Sequence, residues 1–153
     1  MEISREIIEQ IITQILTEKI IDAGHQKTDE NKTEASGVLK IKVPGIHVTE
    51  EDRLDTGDKC HKVYTHDLFA LQESPRLGCG IMEMENTTFD WNLNYDEIDY
   101  VIEGTLTIIK NNQTVTATPG ELILIPKNSQ IKFSVPGKAR FLYVTYPADW
   151  ESK

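Results

Sequence analysis

The sequence predicts an all-β domain, a closed barrel or sandwich of short strands, preceded by an amphipathic helix and a polar linker. Three observations carry this. After Gly37 the chain becomes short apolar runs separated by Pro-Gly and Asn-Asn turns. No helical pattern lies between those runs, which excludes a doubly wound parallel sheet. Before Gly37 the apolar residues follow a period of 3.6 instead of 2.

The elements follow in order. Isoleucine or leucine stands at 3, 7, 8, 11, 12, 15, 16, 20 and 21, one stripe on a helix. Ser4 is a cap and Gly24 a stop, so the helix is assigned to residues 1–24. Its other face carries Glu2, Glu6, Glu9 and Glu18 with Arg5, Gln10 and Gln14. Residues 25–37 are polar, have almost nothing to bury, and read as a linker. The β domain is assigned to residues 38–153. Leu39–Val43 alternates and stops at Pro44-Gly45. Leu77–Met84, Tyr100–Ile102 and Thr105–Ile109 are further strands. Asn111-Asn112 joins Thr105–Lys110 to Gln113–Ala117 as a tight hairpin, because Asn tolerates positive φ. Glu121–Ile125 ends at Pro126, Ile131–Val135 at Pro136-Gly137, and Arg140–Tyr146 at Pro147.

Bulk properties narrow the function. A chain of 153 residues has room for one ordinary domain and an appendage. The net charge of -9 opposes nucleic acid and anionic membrane surfaces as partners. No apolar run approaches the roughly 20 residues of a membrane span. The N-terminus has no basic stretch before an apolar core, so no secretory signal is expected. Two cysteines, Cys60 and Cys79, suit a reducing cytosol. Cys60, His61 and His66 offer soft donors, but their spacing fits no standard metal site.

The stretch from Phe89 to Leu106 carries a family resemblance. Glu97 and Gly104 stand at the spacing of the first cupin motif, and Gly120 and Pro126 at that of the second. The sequence therefore resembles the cupins, and with them a jelly-roll β-barrel is expected. It departs from them where metal is held. Trp91 and Leu93 occupy the two histidine positions of the first motif, Ile131 that of the second, and Asn128 replaces a glycine. Of four usual ligands only Glu97 remains, and one carboxylate cannot hold a divalent metal tightly. No tightly bound metal is expected.

The run Phe89–Leu106 and the closing Arg140–Ala148 resemble, more closely, the EutQ family of ethanolamine-utilization cupins. That resemblance implies a cytoplasmic protein of bacterial microcompartments. It also implies an acetate kinase interconverting acetate and ATP with acetyl phosphate and ADP. A homodimer is expected on the same ground. The alternative is a non-enzymatic cupin that binds a small metabolite or a shell protein.

If Glu97 points inward as in cupins, Asp99 and Val101 share its face. Trp91, Leu93, Ile131 and Phe133 then line the same cup. Two close carboxylates in an apolar cup cannot both ionise cheaply, so one pKa rises. Glu97, Asp99 and Tyr95 are the catalytic candidates, as an acid–base group or a weak Mg²⁺ site carried by a nucleotide. A hydrogen-bonded remnant of a lost metal site is the competing reading. Trp91, Asp96 and Tyr100 are candidate substrate contacts. Against these stand Trp91 as a space filler, Tyr100 as outer-face packing and Asp96 as a solvated charge. The sequence holds no G-x-x-x-x-G-K-[ST] phosphate loop. Arg53, Lys59, Lys62 and Arg76 are the cations available for phosphate, all outside the motif strands. The N-terminal helix packs on the domain or a partner subunit, or docks on a microcompartment shell protein through its isoleucine stripe.

Overall fold

The computed structural model describes residues 31–150. The helix expected over residues 1–24 lies outside the described residues. The chain divides into two compact units, one ending at Gly45 and one beginning at Ile46.

In the first unit, β1 (Lys32–Ala35) and β2 (Val38–Ile41) form an antiparallel hairpin. Ser36 and Gly37 turn it with φ of 56° and 76°, the left-handed pair that a two-residue primed turn requires. The segment 25–37, read from sequence as linker, thus holds a strand over Lys32–Ala35. Its Lys-Thr-Glu-Ala sequence leaves three of four residues exposed, so no buried alternation marks it. Val38–Ile41, assigned from sequence to the large β domain, pairs here with β1.

The second unit is built from β3 (Lys62–Asp67), β4 (Gly78–Leu93), β5 (Asp96–Gly104), β6 (Leu106–Lys110), β7 (Gln113–Ala117), β8 (Leu122–Ile125) and β9 (Ser129–Tyr146). All pairings are antiparallel. The two long strands, β4 and β9, pair from Gly78↔Thr145 to Leu93↔Ser129. Each contributes one half to each of two layers. The first half of β4 and the second half of β9 join β3, β5 and β8. The other halves join β6 and, through it, β7.

The bend between layers sits where the β4–β9 register shifts between Glu85 and Thr87. Asn86 there has φ of 45°, and Pro136-Gly137 lies across from it. The sequence reading ended a strand at Pro136-Gly137. The structure carries β9 through it, because a proline at a bulge costs no ladder hydrogen bond. The ladder does not close into the barrel expected from sequence. Its main path runs β3-β4-β9-β5-β8 and ends in open edges.

The core lies between the layers. Phe133 stacks on Phe89 at 5.5 Å and on Phe141, from the other layer, at 6.4 Å. Phe133 and Phe141 are 1% exposed or less, each burial contributing about 2–3 kcal/mol. Gly104, the motif glycine, has φ of +78°, and a Cβ there would run into the Lys138 carbonyl. Only glycine fits that corner.

Candidate functional site: a buried acid pair beneath an aromatic cup

Strand alternation sets the site. Along β5, Glu97, Asp99 and Val101 are buried while Asp96, Ile98 and Tyr100 are exposed. Glu97 is 4% exposed and Asp99 is fully buried. Cross-strand neighbours complete the floor: Thr145 opposes Glu97 and Tyr143 opposes Asp99 on β9. On β8, Ile125 and Ile123 take the corresponding places.

Four buried oxygen atoms at this floor have no hydrogen-bond partner: Glu97 Oε1, both Asp99 oxygens and Thr145 Oγ1. Burial pushes Glu97 up to about 7, partly opposed by Asp99 and Tyr95 beside it. Burial and the neighbouring Glu97 carboxyl hold Asp99 well above the ordinary carboxylate range.

Above the floor the walls are aromatic. The indole of Trp91 donates a 2.8 Å hydrogen bond to the Tyr95 hydroxyl. Trp150 packs against both rings, at 6.2 and 5.7 Å between centroids. Burial, then the charge of Glu97, pushes the Tyr95 phenol up. Trp91, Tyr95, Glu97, Tyr143, Thr145 and Trp150 line an interior cavity of about 10 Å³. That is about the space one water needs.

The interior leads outward. Leu54, Thr65, Tyr143 and Trp150 line both this cavity and an open one of about 400 Å³. Glu51, Asp52, Asp55 and Asp67 make the open cavity acidic. Its one cation, Arg53, is engaged by Glu50 through hydrogen bonds of 3.0 and 2.8 Å. Asp52 accepts at 2.8 Å from His66 Nδ1 and at 2.6 Å from the Thr49 amide. Burial raises the Asp52 carboxyl, but those hydrogen bonds outweigh it and leave it below its usual range.

Tyr143 stands at the threshold. Its hydroxyl donates at 2.5 Å to Asp67. Burial first, then Asp67, raises its pKa. The ring crosses Gly80, where an added Cβ would strike the phenol and the His66 carbonyl.

Of the sequence candidates, Glu97, Asp99, Tyr95 and Trp91 come together. Asp96 and Tyr100 do not. Asp96 is exposed and accepts from the Lys127 amide at 2.8 Å, holding the β8–β9 turn. Tyr100 lies on the outer face, 42% exposed. The reason is the two-residue period itself: with Glu97 and Asp99 inward, 96 and 100 face out. Leu93 and Ile131, at former histidine positions, are buried core residues. The donors left at those positions do not fit the cupin metal. Among the described residues, no cluster of three or more His, Cys, Asp or Glu side chains is arranged for an ion. Lys62 pairs with Glu85, and Lys59 and Arg76 are exposed; only Arg53 reaches either cavity. Sequence reasoning missed Tyr143, Thr145, Asp67 and Trp150. Gly78 and Gly80, alternating on β4, were the available signal for side chains crossing closely. Nothing in the sequence marks Trp150, which follows the last strand.

Residues 3–152 match the family model described as ethanolamine utilisation protein EutQ. The chain is 57% identical over 151 residues to "Acetate kinase EutQ" of Clostridioides difficile, covering 99% of this chain and 96% of that protein. It is 34% identical to "Acetate kinase EutQ" of Salmonella typhimurium, covering 99% of this chain but 65% of that longer protein. The solved Clostridium difficile EutQ structure is similar with a TM-score of 0.76 and 65% identity, covering 78% of this chain and 88% of that one. A cupin superfamily protein from Desulfitobacterium hafniense has a TM-score of 0.50 at 15% identity over 56% of this chain and 78% of that one, a likeness of fold alone. Within a predominantly β-sheet, cupin-like fold, this chain belongs to the EutQ family of ethanolamine utilisation proteins.

Proposed function

We propose that this chain is an acetate kinase whose site is the acid-floored cup and the acidic cavity above it. The observation that carries this is the 57% identity, along nearly its whole length, to a protein named for that activity. In the reaction, an acetate oxygen bonds to the terminal phosphorus of ATP as the bridging P–O bond breaks and ADP leaves; the reverse makes ATP from acetyl phosphate. The interior space of about 10 Å³ is too small for a phosphate, so phosphoryl chemistry belongs in the open cavity of about 400 Å³. Mg²⁺ takes one or two carboxylates plus substrate phosphates, and Asp52, Asp55 and Asp67 are donors of that kind. Glu97, protonated and backed by Asp99, would donate through a single water in the cup toward an acetate carboxylate held in the open cavity.

The test is ATP formation from acetyl phosphate and ADP by the purified full chain, with and without Mg²⁺. Mg-dependent turnover is expected, with Glu97→Gln and Asp99→Asn lowering it at least about 100-fold. Wild-type turnover in both variants removes the acid pair from the mechanism. No turnover in the wild type removes the kinase reading.

A second reading has its own support. Among the described residues, Arg53 is the one cation lining either cavity, whereas phosphoryl transfer needs cationic stabilisation. In that reading the chain is a non-enzymatic, jelly-roll cupin for a small metabolite, working at a microcompartment. The isoleucine stripe over residues 3–21 would dock on a shell protein. Deleting residues 1–24 would then abolish co-sedimentation with shells. Ile98, Tyr100, Leu122 and Leu124 form an exposed apolar face on β5 and edge strand β8, suited to pairing with a second copy. Analytical ultracentrifugation of the full chain tests that dimer.

A further inference from the structure

We infer that the interior cup is a receptor for the head of a small primary ammonium compound. The floor, the free space, the walls and the approach converge on this chemistry. On the cavity wall, Glu97 Oε1 and Thr145 Oγ1 are buried oxygens without a hydrogen-bond partner, and Asp99 stands behind Glu97 on the same strand face. A primary ammonium brings three N–H donors on one compact charge. Glu97 is 4% exposed and lines the cavity, so its carboxyl borders whatever enters. The space available, about 10 Å³, suits a group the size of water and rejects a methylated one.

The walls and the approach agree with the floor. Trp91, Tyr95, Tyr143 and Trp150 surround the cavity with ring faces and edges, and aromatic rings attract cations at close range. The Tyr143 hydroxyl already donates to Asp67, which leaves its oxygen lone pairs for a donor from inside. The entrance carries Glu51, Asp52, Asp55 and Asp67 against an Arg53 already paired with Glu50, a field that gathers cations. A bare metal ion is the weaker match, since the described residues hold no cluster of ligands arranged for one.

This goes beyond the proposed kinase and does not depend on it. The two ligands address opposite protonation states of the same carboxyl. Acetate pairs with the protonated acid, an ammonium with the ionised one. The ammonium therefore competes with acetate and binds better as pH rises through about 7. The titratable groups facing Glu97 are Asp99 on β5, Tyr95 just before it and Tyr143 on β9; β8 presents Ile123 and Ile125.

The test is calorimetric titration of the full chain at constant ionic strength with n-propylammonium, tetramethylammonium and 1-propanol. The expected result is a 1:1 complex with n-propylammonium at pH 8, and about thirtyfold weaker binding at pH 5.5. Tetramethylammonium and 1-propanol bind at least about tenfold less tightly than n-propylammonium. Glu97→Gln removes the preference for the amine over the alcohol. Should that variant not fold, Thr145→Val, which removes an oxygen that has no protein partner, is expected to weaken n-propylammonium at least about tenfold while leaving 1-propanol unchanged, and equal loss for both overturns the assignment. Equal binding of propanol, equal binding of tetramethylammonium, or no n-propylammonium complex overturns the assignment. An absence of kinase turnover leaves these titrations unaffected, so the two readings fail separately.

Discussion

The floor of the cup and the cavity outside it are both acidic, yet their carboxyls behave in opposite ways. Asp52, outside, is tied to His66 and Thr49, and lies below its usual pKa. Glu97 and Asp99, inside, keep oxygens with no partner and are raised. Residue type is the same in both places; the count of donors and the access of water differ. The comparison teaches that an acid becomes chemically available when the fold withholds its partners.

The comparison can be broken most forcefully with pH. The folded chain holds the Glu97 proton more tightly than the unfolded chain does, its pKa going from 4.5 to about 7. The Glu97 contribution to stability is therefore full below about pH 4.5 and is lost as pH rises through about 7, by on the order of 3 kcal/mol. Urea unfolding at several pH values measures the loss, and Glu97→Gln removes the Glu97 share of it while burial of Asp99 keeps its own. A flat wild-type profile would show that the inner acids are no different from the outer ones.

Next in size is Gly80→Ala. The new methyl meets the Tyr143 ring and the His66 carbonyl, at a cost of about 2 kcal/mol. Chemical denaturation reads it, and restored stability in the double variant with Tyr143→Leu would assign the cost to that crossing. Tyr143→Phe alone removes the hydrogen bond to Asp67 and costs about 1 kcal/mol. Asp52→Asn loosens an outer pair whose His66 partner is 40% exposed. About 0.5 kcal/mol is expected there, falling further in high salt. If the outer substitution costs more than the inner ones, the contrast between the two regions is lost.

Much of the second unit was legible in the sequence, for a definite reason. The Asn111-Asn112 hairpin forms with φ of 51° and 60°, as asparagine chemistry allows. The inward march of Glu97, Asp99 and Val101 follows from strand period alone. The same period turns Asp96 and Tyr100 to the outer face, away from the acid pair. β3 escaped notice because Lys62–Asp67 mixes polar residues on both faces, with Val63 its one fully buried side chain. The open ladder and the Tyr143–Asp67 threshold depend on residues 76 positions apart, beyond the reach of local pattern.

The sharing of β4 and β9 between the layers has a consequence for how the domain comes apart. Neither layer owns a complete set of strands, since each borrows half of the same two backbones. Peeling one layer away would strand the amides of the other, so the two halves are expected to melt as a single event. Hydrogen exchange at Phe89 and Phe141, which sit on opposite sides of the bend, should then report one common opening energy.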